Sequence, residues 1–259
     1  MLGFKILIHS IRMVFRNVKE ALQIALVPAS LAVLSYFLLA YLVLGSGVAS
    51  QLLNGATIHY GADNPLPPGF ALFFFPAMVI GIGVGLWILV SWHRFILLEE
   101  YPRGVLPPFR FDRILAYLGR ALLLGVFAIG LMAPGMFIVS SAIQASVTFG
   151  IAVWVVLVAG LWVGFYRFSP VLPGAAIGKP VTFHDAWYAT AGSNGQILLL
   201  VLLSLVIQFL VQFLAGMLMV IPVIGLIIVV FVVMLVLPLI NVSILTTMYG
   251  VFIEKRQLT

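Results

Sequence analysis

Long uninterrupted apolar runs, rather than alternating positions, dominate this chain. Six can be read, at about 21–44, 70–95, 117–142, 147–168, 196–220 and 223–250. Each meets or approaches the ~20 residues that carry a helix across a hydrocarbon core of about 30 Å. Barrel strands would instead be ~10 residues long and alternate in polarity. The pattern predicts an all-α polytopic membrane bundle of six transmembrane helices. The polar stretches between runs are too short for a separate soluble unit, so residues 1–259 form a single integral membrane domain.

Polar positions add a second kind of element. Lys5, His9, Arg12, Arg16 and Lys19 recur at helical steps of four, three, four and three, with Phe4, Leu7, Ile8, Ile11, Val14, Phe15 and Val18 between them. This predicts an interfacial amphipathic helix over about 3–19, with its cations among headgroups. It serves either as an orientation anchor in anionic lipid or as a docking helix for a partner. Arg110, Arg113, Tyr117 and Arg120 repeat the spacing after a Pro107-Pro108 break. Lys179-Pro180 precedes a third such element, where Thr182-Phe183-His184-Asp185 has capping-box spacing with Asp in place of Glu.

These recurrences suggest an internal repeat. At an offset of 73 residues, Val90, Arg94, Phe95, Pro107, Asp112, Ala116 and Gly119 meet Val163, Arg167, Phe168, Pro180, Asp185, Ala189 and Gly192. Trp92 and His93 meet the aromatic pair Phe165 and Tyr166. Three units, each an interfacial helix with a two-span hairpin, follow from this reading. Repeats of this kind occur in transporters but also in plain bundles.

Charge then orients the spans. All 13 Lys and Arg residues fall in the N-terminal segment, the gaps after the second and fourth runs, and the C-terminal tail. Cations flanking spans are retained on the cytoplasmic side, which places both termini there. The outer connection at 45–69 carries Asp63 as its only charge. Val48-Ala49-Ser50 resembles a signal-peptidase site, but the preceding run is too long for a cleavable signal, so the first span is expected to be retained.

Composition narrows the function classes. The chain is 64% hydrophobic and 8% charged, against about 25% charged in soluble proteins. The net charge of +6 points to anionic inner-leaflet lipid rather than nucleic acid, because the topology already accounts for every cation. The absence of cysteine removes thiolate metal sites, iron–sulfur ligation and thiol catalysis. Neither a metal-binding HExxH spacing nor a nucleophile elbow or P-loop is present, so no catalytic residue, metal ligand or cofactor is assigned.

No ionisable residue lies near the middle of a predicted span, where such groups are costly and functional. Gln208, Gln212 and Asn241 are the amides at depth, with Ser243, Thr246 and Thr247 beyond them. They serve as interhelical hydrogen-bonding groups or as the polar lining of a path. The GxxxG spacings at Gly81–Gly85 and Gly160–Gly164 predict close helix packing. At the cytoplasmic rim the repeat suggests two matched ion pairs, Arg94–Asp112 and Arg167–Asp185, tying each loop helix to the preceding span.

Arg-Phe-Ser-Pro-Val-Leu-Pro at 167–173, then Phe183-His184-Asp185-Ala186-Trp187 and Gly192-Ser193-Asn194 before a span, resembles a loose group of bacterial six-span proteins. That group comprises the YciC-like inner-membrane family and the membrane domain attached to some glycerophosphodiester phosphodiesterases. The resemblance implies a multi-pass protein of the bacterial inner membrane and transfers no activity. The expected function is non-enzymatic: membrane organisation, assembly or regulation through the cytoplasmic face, with lipid and a membrane-protein partner as contacts. The alternative is a transporter or lipid-handling protein without an embedded ion-coupling carboxylate.

Overall fold

The computed structural model describes residues 1–53, 66–102, 104, 106–221 and 224–258. The stretch 54–65 with Asp63, together with Arg103, Pro222 and the first residue of the sixth run, lies outside them. The chain opens with α1 (Leu2–Arg16), α2 (Val18–Leu44) and α3 (Ser46–Leu53). It continues through α4 (Phe70–Leu98), α5 (Phe111–Ala145), α6 (Val147–Phe168), α7 (Val171–Ile177) and α8 (Phe183–Ala189). It closes with α9 (Asn194–Leu218), α10 (Ile224–Phe231), a π-helical turn at Val232–Val236, and α11 (Leu237–Phe252). Among the described residues there is no strand, and six helical segments are long and apolar enough to cross a membrane. The protein is a multi-pass membrane protein.

Bulky apolar side chains such as Leu42, Val126, Phe137, Val156 and Phe209 stand exposed around the bundle. In water such a surface would aggregate, whereas hydrocarbon solvates it without cost. Packing is uneven. In the last span 61% of the most apolar window is buried, against 6–22% in the others, so α11 is the central helix. The main core gathers Trp92 and Phe95 of α4, Ile197 and Leu200 of α9, Ile244 and Met248 of α11, and Ile6 and Leu7 of α1. These positions share one end of the bundle, the end that carries the described cations. Away from it, helices pair chiefly with their hairpin partners, α2 with α4 and α5 with α6.

The helix α1 has three faces rather than two. Gly3, Ile6, Leu7, Ser10 and Val14 are buried against α9 and α11. Phe4 and Phe15 are exposed on a second face, and Lys5, Arg12 and Arg16 on a third. At Gly3 the backbone of α9 passes so close that a Cβ would collide with the carbonyl of Gln196. The helix is therefore docked on the bundle, not simply laid in lipid.

Other expectations change in detail. The stretch 110–120, read as a second interfacial element, is the start of α5, a continuous helix of 35 residues. At 1.5 Å per residue α5 is about 52 Å long, so its first turns extend past the ~30 Å core and keep Asp112 and Arg113 in polar surroundings. The third element is α8, and its capping box forms as read. Thr182 Oγ1 accepts the Asp185 N–H at 3.0 Å, and Asp185 Oδ2 accepts the Thr182 N–H at 3.4 Å.

The two repeat copies thus fold differently. Gly119 lies inside α5, whereas its counterpart Gly192 takes φ +75° in the turn between α8 and α9. Unforeseen is α7, a short helix in which every residue from Val171 to Ile177 is buried among α4, α5 and α11. Gly178, at φ +79°, ends it directly beneath the Arg113 guanidinium.

The GxxxG expectation fails. A Cβ at Gly81, Gly85, Gly160 or Gly164 would meet nothing within 4 Å. Close helix approach occurs instead at Gly135 and Gly150, which face Leu157 and Ile143 across the α5–α6 hairpin. Pro28, Pro76 and Pro134 sit inside unbroken helices. Pro238 follows the π turn, where the missing N–H and the ring's demand for space are absorbed by local widening.

Candidate functional site

Three polar clusters occupy the cationic end. The first is a seam on α11. Ser243, Thr246 and Thr247 are spaced so that each faces a neighbouring helix, and each hydroxyl finds a partner there. Ser243 Oγ accepts the Trp92 indole N–H at 2.9 Å while donating to the Leu239 carbonyl. Thr247 Oγ1 lies 2.9 Å from Ser10 Oγ of α1, which itself donates to the Ile6 carbonyl. Thr246 donates to the Val242 carbonyl, so the 2.8 Å contact with His93 is the imidazole Nδ1–H donating to the hydroxyl. That tautomer leaves His93 Nε2 a bare lone pair, buried without a hydrogen-bond partner. The hydroxyls of this seam do bond across helices. The three amides do not: Gln208 is half-buried, Gln212 exposed and Asn241 half-buried, and among the described residues no hydrogen bond joins them.

The second cluster is built on Glu100. Its Oε2 accepts from Arg94 Nε at 2.6 Å and its Oε1 from Arg110 Nη2 at 2.8 Å. Arg94 Nη1 also donates to the Ala176 carbonyl at the end of α7, 3.1 Å away. One carboxylate therefore ties the end of α4, the entry to α5 and, through Arg94, the buried α7. The expected Arg94–Asp112 pair does not form, because Asp112 is exposed and turns to its neighbour Arg113 at 2.9 Å. Glu100 is six residues past Arg94, within reach once Glu99 takes the left-handed conformation at the helix end.

Burial would raise the Glu100 carboxyl, but the hydrogen bonds from Arg110 and Arg94 outweigh it and hold the group below the usual range. A carboxyl depressed on folding contributes stability above its ordinary pKa, and that contribution is lost as pH falls through the lowered value. Replacing Glu100 by Gln is expected to cost about 2 kcal/mol at neutral pH, since charge-assisted bonds to two guanidiniums are lost. Thermal melts in detergent should show wild type and E100Q converging only below about pH 4, near the free carboxyl value. A constant gap down to the lowest pH would refute the ion-pair account.

The third cluster surrounds Arg167, at the end of α6. The Asp185 partnership is again replaced. Asp185 is held by Thr182, whose hydroxyl and backbone N–H keep its carboxyl below the usual range. Arg167 lies with its guanidinium carbon 3.4 Å over the Trp187 ring, and the Phe168 ring stacks on the same indole at 5.1 Å. Its Nη2 donates to the Trp187 carbonyl at 2.6 Å and its Nε to Thr190 at 3.2 Å. The short helix α8 is thereby clamped to the end of α6. Sequence spacing pointed to a carboxylate, but the aromatic two residues further on supplies the larger contact surface.

Among the described residues, no three His, Asp or Glu side chains converge on a common point where an ion would sit. Open cavities flank α6 on both sides, two of about 240 and 440 Å³ against α5 and one of about 340 Å³ against α9. The chain matches no family model, no curated protein and no solved structure.

Proposed function

We propose that this chain is a non-catalytic protein of the bacterial inner membrane, with both termini cytoplasmic, that organises or regulates lipid and a membrane-protein partner through its cationic end. The observation that carries this reading is the division of labour along the bundle normal. At the cationic end α1 is docked with Lys5, Arg12 and Arg16 exposed, none paired with a carboxylate among the described residues. There the titratable clusters hold helices together, and the exposed cations are the groups left to meet anionic partners, each contributing up to ~1 kcal/mol near an anionic surface. The resemblance to YciC-like proteins points to the same compartment. The second reading, a lipid-handling or transport protein, draws on the cavities beside α6.

Neutralising Lys5, Arg12, Arg16 and Lys19 to Gln tests the first reading in the full chain. Loss of co-purifying anionic lipid and of a membrane protein, with the helical content intact, is the expected result. Movement of a solute or lipid by the reconstituted protein, unaffected by the four changes, would favour the second reading and remove the first. Because the chain has no cysteine, one introduced at Leu53 or at Gln257 reports orientation directly. Labelling of Leu53→Cys alone in intact cells is expected.

A further inference from the structure

Within the repeat, Arg94 and Arg167 occupy equivalent places at the ends of α4 and α6, but only one has a counter-ion. Glu100, which neutralises Arg94, corresponds at the 73-residue offset to Pro173. Arg167 is only 7% exposed, yet among the described residues no carboxylate lies within ion-pair distance of it. Its Nε and Nη2 donate to Thr190 and to the Trp187 carbonyl, and among the described residues no hydrogen bond from Nη1 to protein is found. A buried guanidinium held in place by a ring and a carbonyl still carries its full charge, and such charges are normally paired.

The α6–α9 cavity opens at this guanidinium. Val156, Ala159, Gly160, Val163, Gly164 and Arg167 form its α6 wall, and their spacing of three, one, three, one and three places them on one face of the helix. From Val156 to Arg167 that face runs about 16 Å along the axis. Gly160 and Gly164 leave a trough where a Cβ would meet nothing within 4 Å. At its cationic end the cavity is lined by Trp187 and Asn194, the latter the first residue of α9. The start of α9 has no side-chain cap, so its first N–H groups and the positive end of the helix dipole lie beside Asn194. Four features therefore coincide: an apolar trough open to lipid, a buried cation without a carboxylate, an uncapped helix start, and an interfacial tryptophan.

We propose that this groove binds one anionic phospholipid, its phosphate between Arg167 and the first turn of α9 and an acyl chain along Gly160 and Gly164. The lipid supplies the counter-ion that Glu100 supplies to Arg94. It also fills the trough and so bridges α6 to α9, whose packing elsewhere is sparse. This deepens the lipid contact of the proposed function, and it is independent of the α1 cations that test that reading.

Native mass spectrometry of the detergent-purified full chain, titrated with phosphatidylglycerol, phosphatidylcholine or inorganic phosphate, provides the test. Wild type should retain one phosphatidylglycerol through delipidation and bind it at least about tenfold more tightly than phosphatidylcholine, which offers the same phosphate but sets its choline cation beside Arg167. Gly164→Leu puts a side chain into the trough, where a Cβ would meet nothing within 4 Å, and introduces a good helix former, so it should melt no lower than wild type when delipidated, yet lose the bound lipid. Arg167→Gln should erase the headgroup preference. If it fails to fold, Arg167→Lys, which keeps the charge but not the planar stack, should retain binding with the preference reduced several-fold. Phosphatidylglycerol binding unchanged in G164L and in the Arg167 variants would overturn the proposal. Equal retention by inorganic phosphate, insensitive to G164L, would also overturn it, because the site would then take a soluble anion.

Discussion

Truncating Trp92 to alanine is expected to destabilise the bundle by about 3 kcal/mol, the low end of the range for removing a fully buried aromatic, because the water-transfer share of that cost is absent in lipid. Trp92 is 0% exposed and sits where α4 crosses α11, packed with Phe95 at 5.6 Å and hydrogen-bonded to Ser243. In lipid no hydrophobic gain holds helices together once they are inserted, so packing and hydrogen bonds carry the association. Losing the indole removes both at the central crossing. Trp92→Phe keeps most of the volume and should cost nearer 1 kcal/mol, mainly from the acceptor left at Ser243. Unfolding titrations in mixed micelles give the comparison. Equal, small losses for both variants would show that the α4–α11 crossing is not the centre of the fold.

The second large effect is expected at Gly3. Gly3→Leu drives a side chain into the Gln196 carbonyl and the Leu200 backbone of α9, neither of which can yield as a flexible side chain would. Overpacking against backbone costs about 1–3 kcal/mol, and here the strain is relieved by releasing α1 as a unit. The spans should stay helical while the Ser10–Thr247 contact opens and α1 becomes sensitive to protease at Lys5, Arg12 and Arg16. Gly3→Ala should give a milder form of the same result. If α1 in G3L remains as resistant to protease as in wild type, its docking does not depend on the Gly3 approach. An undocked α1 keeps its cations and its Phe4 and Phe15 face, so it also separates lipid attachment from bundle attachment.

Six runs of apolar residues state their own solvent, because a spanning helix satisfies its backbone internally and only length and polarity need be counted. The same holds for the capping box of α8, a contact three residues long, and for the alternation of cations that groups the span ends. Local chemistry suffices for each.

Partner choice was not local. Arg94 and Arg167 have the same spacing to an aspartate, yet one took Glu100 and the other Trp187. The decision fell to the αL turn at Glu99 and to how α8 folds back on α6. The glycines at 160 and 164 have the spacing of a helix seam, but α9 stands too far away, and a trough results. The faces of α1 are a similar case. Its cations and apolar residues are evident at helical period, whereas the division of the apolar set into a docked stripe and an exposed stripe appears only when α9 and α11 cover one of them. Hydrophobicity and charge decide which residues leave water, and they do so residue by residue. Which of the groups out of water meets protein and which meets lipid depends on where other helices stand, so only the assembled bundle decides it.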